Sequence, residues 1–291
     1  MKKGVLYPYD SLDVLNYYSA VSKTLENFLK GKPIASKTWL VGNVLYFLRR
    51  ASKNPRLNIK DFKFVNDKLL KLRAHGKLSE VKNQLNEKQI LLWEYFVPRK
   101  FSSLFYSTND EGVGKSINRI FLDIDRKKHS ADESRVVCLN LVENILNDKL
   151  FNSLVRYRLV ILWTGKSFHI YILLNKSVPF DFYARYLSYG KNDKDSFILK
   201  WVEEISKSTG LKVGAGHEKS SKKIIIDSSN TPSGKLARAP FSLHIKNAKE
   251  FDGVSVPVSI EELKDKNIIQ KLEKLTPDEV LKNLNYYKKL L

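Results

Sequence analysis

A chain of 291 residues, 43% of them hydrophobic, carries enough apolar surface for a full core, which excludes a disordered or fibrous polymer. Its 51 lysines and arginines against 31 acidic residues leave a formal charge of +20, which favours nucleic acid or nucleotides as partners and leaves an anionic membrane surface as the competing reading. The single cysteine, Cys138, excludes an intrachain disulfide and any cysteine-rich zinc or iron-sulfur site, so a metal must be held by oxygen or histidine.

At the start of the chain, Met1-Lys2-Lys3 leads into Gly4, Tyr7, Pro8 and Asp10 without an apolar stretch of signal-peptide length. The chain contains no run of about 18 apolar residues, so a cytoplasmic, nucleoid-associated protein with no membrane partner is expected. Asp10 or Ser11 can cap a first helix, in which Val14, Leu15, Tyr18, Val21, Leu25 and Phe28 recur at three-and-four spacing up to Gly31 and Pro33. Further helices are predicted over 37–52, 59–73 and 79–95. Residues 1–98 therefore read as a helical N-terminal layer packed on the core. Its basic cluster Arg49, Arg50, Lys53 and Arg56 could touch a phosphate backbone or form a solvated helix end. Trp93, Trp163 and Trp201 could stack on bases, with core packing as the default for each.

After Pro98 the pattern changes to strands, predicted over 101–106, 119–124, 157–163, 168–174 and 222–226. Helices are predicted between them over 131–150, 180–187 and 195–208. This order implies a mixed α+β class, with a mixed central sheet flanked by helices over residues 99–258. A helical tail spans 259–291, where Ser259 can cap a helix opened by Glu261 and Glu262, and 277–290 form a last basic amphipathic helix.

Three segments carry chemistry. In Phe121-Leu122-Asp123-Ile124-Asp125, residues two apart on a strand share a face, so Asp123 and Asp125 stand side by side while Leu122 and Ile124 enter the core. Two adjacent carboxylates repel unless a cation lies between them. Mg2+ or Mn2+ suits that position, taking oxygen ligands at roughly 2.1 Å and completing its octahedron with substrate phosphates. A solvated strand end is the alternative for this pair alone.

The second segment, Thr164-Gly165-Lys166-Ser167-Phe168-His169, is a turn between two apolar strands. Gly165 permits a tight turn and close approach to a ligand, Lys166 and Ser167 can reach phosphate oxygens, and Ser167, His169 and Tyr171 share a face. An ordinary hairpin with a satisfied histidine is the alternative. The third segment places Asp227 at the end of Ile224-Ile225-Ile226, followed by Lys235, Arg238 and His244, whose cationic and imidazole groups suit phosphates.

In order and texture, the three segments resemble the archaeo-eukaryotic primase superfamily, in particular the small catalytic subunit of archaeal and eukaryotic DNA primase. That family carries an apolar strand ending in Asp-x-Asp, a Ser-Gly-Arg-Gly-aromatic-His turn, and a later Asp followed by Arg-x-Pro-x-Ser/Thr-Leu-His. The matching stretches here are 121–125, 164–169, and Asp227 with 238–244. The resemblance covers about half the chain and implies a primase-polymerase (prim-pol) fold. It further implies that Asp123, Asp125 and Asp227 bind two Mg2+ or Mn2+ ions, and that Thr164, Gly165, Lys166, Ser167, His169, Lys235, Arg238 and His244 form the nucleotide site.

The implied activity is template-dependent synthesis of primers from NTPs or dNTPs on single-stranded DNA. A plasmid- or repair-type primase-polymerase that extends DNA primers is the first alternative, and a non-catalytic nucleic-acid-binding protein the second. This chain departs from the family pattern in having Thr164 for the usual serine and Lys166-Ser167 for Arg-Gly. With one cysteine it cannot build the zinc module of many relatives or an iron-sulfur domain, so a large primase subunit or a further domain is expected to supply initiation.

Overall fold

In the computed structural model, which describes residues 13–38, 47–50, 56–97, 99–100, 102–110, 114–190, 195–217, 222–245 and 251–291, the chain forms a mixed α+β fold. Its strands are β1 Ile34–Thr38, β2 Phe47–Arg49, β3 Ser102–Ser107, β4 Ile117–Asp125, β5 Tyr157–Trp163, β6 Phe168–Val178, β7 Val213–Ala215, β8 Ile224–Asp227, β9 Leu236–Arg238, β10 Leu243–Ile245, β11 Phe251–Val254 and β12 Val256–Val258. A six-stranded sheet runs in the order β12-β5-β6-β4-β8-β7, antiparallel except between β7 and β8. A second sheet runs β2-β1-β3-β9, and β10 pairs with β11.

β4 is the axis of the large sheet, hydrogen-bonded to β6 on one side and β8 on the other. Ile120, Leu122 and Ile124 alternate onto its inner face and are fully buried. The helix Ala131–Asn147 follows β4 and packs with Phe197–Thr209. It starts on a capping box, in which Ser130 Oγ accepts from Glu133 N at 3.0 Å and Glu133 Oε2 accepts from Ser130 N at 2.7 Å. Cys138 lies fully buried in the same helix. Trp163 and Trp201 are fully buried, and Trp93 nearly so beneath the Arg73 guanidinium, 5.2 Å from its ring. All three tryptophans are core residues in this fold and none offers a face for base stacking.

The helix expected over 37–52 does not form among the described residues. β1 and β2 stand there instead, and β1 pairs along its length with β3, from Ile34↔Tyr106 to Thr38↔Ser102. A full ladder closed by the buried Thr38 Oγ1 to Ser102 Oγ contact at 2.9 Å outweighs a local helical pattern. The resulting sheet joins strands from both sides of residue 98.

Several predicted helices are divided where a short polar side chain captures a backbone N–H and restarts the helix. Asn66 Oδ1 accepts from Leu69 N at 3.0 Å and Asn86 Oδ1 from Gln89 N at 2.9 Å, which splits 59–73 and 79–95. Asp148 does the same with Phe151 N at 3.1 Å, ending the expected 131–150 helix early, and the C-terminal helix breaks at Asn283. Ser259 and Glu262 form the expected cap, at 3.1 and 2.8 Å.

The expected cap residues Asp10 and Ser11 lie outside the described residues, and Asp13 caps the first helix, Val14–Leu25, accepting from Leu15 N at 2.9 Å. The same buried carboxylate takes Arg73 Nε at 3.0 Å and Nη2 at 3.2 Å, and Arg99 Nε at 3.3 Å. It thereby ties the first helix to Asp67–His75 and to the lead into β3. Asp13→Ala would strand the Arg73 guanidinium without its partner, so a loss of about 3–5 kcal/mol in urea unfolding is expected. A loss below about 1 kcal/mol would mean that the pair behaves as a solvated surface contact.

Candidate active site

The three sequence segments converge at the end of β4 because of strand register. Asp123 stands opposite His169 on β6 and opposite Asp227 on β8. Directly paired residues of antiparallel strands share a face, and Asp125 is two residues further along the same face. Three carboxylates and an imidazole are thus gathered by backbone hydrogen bonding before any side chain is considered.

His169 Nε2 lies 3.2 Å from Asp123 Oδ1, so that ring nitrogen faces the carboxylate as the donor. The imidazole is held edge to face by Phe121, ring centroids 4.8 Å apart, and its Nδ1 is buried with no hydrogen-bond partner among the described residues. Burial alone would raise the Asp123 carboxyl, but His169, Arg238 and Lys127 together outweigh it and hold the group below the ordinary carboxylate range. Asp125 pairs with Lys127 Nζ and accepts from Lys127 N at 3.2 Å. Asp227 Oδ1 accepts from Ser229 N at 2.7 Å and from the Tyr189 hydroxyl at 3.2 Å.

The turn between β5 and β6 closes over this face. Thr164 Oγ1 accepts from Ser167 N at 3.1 Å, while Ser167 Oγ donates to Ile124 O and fastens the turn to β4. Gly165 has φ +93°, and a Cβ there would meet the backbone of Gly253 at 3.0 Å and His244 Cβ at 3.1 Å. The glycine is required by this packing against β10 and β11, where His244 pairs with Gly253. His244 Nδ1 donates to Thr164 O at 2.9 Å. Burial first, then Arg238, pushes the His244 imidazolium well below its usual range, so the ring is neutral with its proton on Nδ1.

Two of the three carboxylates open into a cavity of about 520 Å3. Asp123 and Asp125 form part of its floor, with Thr164, Ser167, His169 and His244 beside them. Lys37, Arg126, Lys127, Lys166 and Arg238 give it cationic walls. Arg238 is largely buried, lies over the Phe105 ring at 4.9 Å and donates to Leu243 O at 3.0 Å, which fixes the guanidinium plane. A concave, cation-walled site with two carboxylates at its base suits a polyphosphate carried with a divalent ion.

Not every expected residue reaches the cavity. Lys235 is exposed and contributes its backbone carbonyl to Thr108 N at 2.9 Å, while its neighbour Leu236 lines the wall. Gly165 acts through packing, and Asp227 is outside the cavity lining, directed to Tyr189 and Ser229. Of the basic cluster, Lys53 lies outside the described residues, Arg49 is paired with Glu94 at 3.1 Å, and Arg50 donates to Gly234 O. Sequence reasoning missed Lys37, Arg126, Lys127 and Asn230, which line the cavity, and Tyr189, which holds Asp227. The run Arg126-Lys127-Lys128 directly after Asp125 was a legible signal, whereas Lys37 was hidden by the helical reading of its strand.

Among the described residues, no three His, Cys, Asp or Glu side chains form a ready ligand cage. The carboxylates are instead satisfied singly, by His169, Lys127 and Tyr189 with Ser229. The donor set nevertheless fits Mg2+ or Mn2+, which needs only one or two carboxylates with waters and phosphate oxygens. No helix among the described residues is long and apolar enough to cross a membrane.

The sequence matches no protein-family model and no curated protein. Among solved structures, the chain is similar to the polymerase domain of Mycobacterium tuberculosis ligase D, determined in complex with DNA, with a TM-score of 0.59 at 16% identity over 97% of this chain and 92% of that one. The fold is accordingly of the prim-pol type. Because Gly165 has no room for a Cβ, Gly165→Ala should lower the urea midpoint by the equivalent of about 1–3 kcal/mol and displace His244 from Thr164. An unchanged midpoint and an unchanged His244 NMR signal would show that the turn tolerates the methyl group.

Proposed function

We propose that this chain is a nucleotidyltransferase that adds nucleotides to a nucleic-acid 3' end on a single-stranded DNA template. The observation that carries the reading is the register of β4, which puts Asp123 between His169 and Asp227 at the base of a cation-walled cavity. Asp123, Asp125 and Asp227 would hold two Mg2+ or Mn2+ ions. When bound, such ions lower the pKa of a 3'-hydroxyl and neutralise charge on the phosphoryl oxygens and the leaving pyrophosphate.

The chain's own groups then have defined tasks. Lys166 and Arg238, both on the cavity lining, bind the triphosphate, Arg238 with its plane already fixed by Phe105 and Leu243. His169 orients Asp123 through Nε2. His244 presents a neutral ring whose Nδ1 proton is committed to Thr164 O, so it must gain a proton to donate to phosphate from Nε2. In the transfer, the 3'-oxygen forms a bond to the α-phosphorus as the bond to pyrophosphate breaks, and the hydroxyl proton leaves to solvent.

Two modes of use are open within this chemistry. The motif order supports primer-free initiation, as in a primase catalytic subunit. The similarity to a ligase polymerase domain supports extension of an existing primer. Incubating the chain with single-stranded template, Mg2+ or Mn2+ and labelled NTPs or dNTPs, with and without a primer, separates them. Products without primer support a self-sufficient primase. Products only with primer support an extending polymerase, whose initiation needs a partner subunit or a further domain.

Asp123→Asn and Asp125→Asn should each lower synthesis roughly a hundredfold or more while circular dichroism shows the fold retained, with a modest fall in the urea midpoint because each carboxylate gives up a cationic neighbour. Wild-type rates in either variant would overturn the metal assignment. Nucleotide binding should also take up a proton at His244, because the free ring is neutral and a bound phosphate raises its pKa. Affinity should therefore increase as the pH is lowered through and below the ordinary histidine range in the wild type, and His244→Gln should flatten that slope in calorimetric titrations. Equal slopes would remove His244 from the phosphate site.

A further inference from the structure

We propose that Lys127 is a built-in counter-ion of the candidate metal site, neutralising Asp125 while no divalent cation is bound and passing to the nucleotide's phosphates once one is. The inference rests on the nucleotidyl-transfer reading and specifies how charge is handed over at that site.

Asp125 holds Lys127 twice. Its Oδ2 pairs with the ammonium and its Oδ1 accepts the residue's own backbone N–H at 3.2 Å. Lys127 has φ +47°, a left-handed conformation that costs a residue with a Cβ roughly 1 kcal/mol or more. That backbone is braced from both ends. Before it, Arg126 Nε donates to Lys166 O at 2.7 Å and Nη1 to His129 O at 2.5 Å. After it, His129 Nδ1 lies 3.2 Å from Glu133 Oε1, and the Ser130 and Glu133 capping box starts the next helix. The freedom left to Lys127 is therefore in its four-carbon side chain.

Both partners face the same cavity, and their side chains are only partly covered, 25% exposed for Lys127 and 38% for Asp125. A divalent ion reaching Asp125 from solvent can compete directly for the oxygen that Lys127 holds. Two cations cannot share that oxygen at contact distance without strong repulsion. The displaced ammonium, anchored a few atoms away, finds its next anion among the phosphates between the cationic walls. A flexible ammonium with three donors suits that transfer better than the planar, fixed guanidinium of Arg238. The exchange makes metal and nucleotide binding cooperative, since each completes a charge the other has vacated. It also accounts for how adjacent carboxylates are tolerated before any metal arrives.

The test measures two affinities on the intact chain. Binding of Mn2+ without nucleotide is followed by electron paramagnetic resonance of the free ion, and binding of a dNTP with Mg2+ by calorimetry. Wild type, Lys127→Met, Lys127→Arg and Asp125→Asn are compared after circular dichroism has shown each to be folded. Lys127→Met should bind Mn2+ several-fold more tightly, having lost the competing cation, and the nucleotide roughly tenfold more weakly, having lost one charge-assisted contact. Lys127→Arg should keep nucleotide affinity within about threefold of wild type. Unchanged or weaker Mn2+ binding by Lys127→Met overturns the inference, as does unchanged nucleotide binding. If Asp125→Asn binds Mn2+ as the wild type does, the metal site itself is wrong, and the functional reading falls together with the inference.

Discussion

The antiparallel pairing of β4 with β6 on one side and β8 on the other is the constraint on which the rest of the site depends. Because side chains alternate along a strand, a shift of one residue in either ladder would turn His169 or Asp227 to the opposite face from Asp123. The fully buried Ile120, Leu122 and Ile124 oppose such a shift, since it would move them out of the core. The apolar half of β4 thus fixes the position of its polar half, and the chemistry-bearing face is set by packing on the other side.

That arrangement concentrates negative charge in a strongly basic chain, and the surroundings answer it residue by residue. Asp123 takes an imidazole, Asp125 an ammonium, and Asp227 a phenol and a backbone amide. These partners differ in how readily they can leave. The phenol and amide carry no net charge and hold orientation, while the ammonium is a full positive charge on a flexible stem. Arg238 and Lys166 stand on the walls to serve an anion brought from outside. A cavity with carboxylates at its base and cations on its walls is therefore suited to a ligand that carries both signs, such as a metal-bound polyphosphate.

Much of this was legible in the sequence because it is local. The Asp-x-Asp strand, the turn before His169 and the strand ending in Asp227 each lie within a few residues, and strand periodicity gives their faces. What was not legible depends on distant partners. The 37–52 segment has an acceptable helical pattern, and only pairing with β3, some sixty residues away in sequence, makes it strand, which conceals Lys37 as a wall of the cavity. Helix lengths were overestimated where Asn66, Asn86 and Asp148 cap a new helix inside an apolar pattern, since the same pattern continues across the break. Tyr189 could not be linked to Asp227 from spacing alone, because the loop that brings them together has no periodicity. The burial of Trp163 and Trp201 matches the ordinary expectation for tryptophan in an apolar strand and an amphipathic helix.

The departures from the primase-like turn also acquire a physical account. Thr164 in place of serine keeps a hydroxyl, which accepts from Ser167 N and closes the turn. Ser167 in place of glycine adds a hydroxyl that donates to Ile124 O and binds the turn to the strand carrying both Asp123 and Asp125. Lys166 keeps the charge but not the fork, and its carbonyl is held by Arg126, so a guanidinium is still present at the turn although it enters from the neighbouring loop. Between β5 and β6, over 164–167, Gly165 is the one position that keeps the family residue, and it is where backbone meets backbone against Gly253. The turn can therefore exchange the groups that face its ligand while keeping the glycine that docks it, because the docking contact leaves no volume for anything larger.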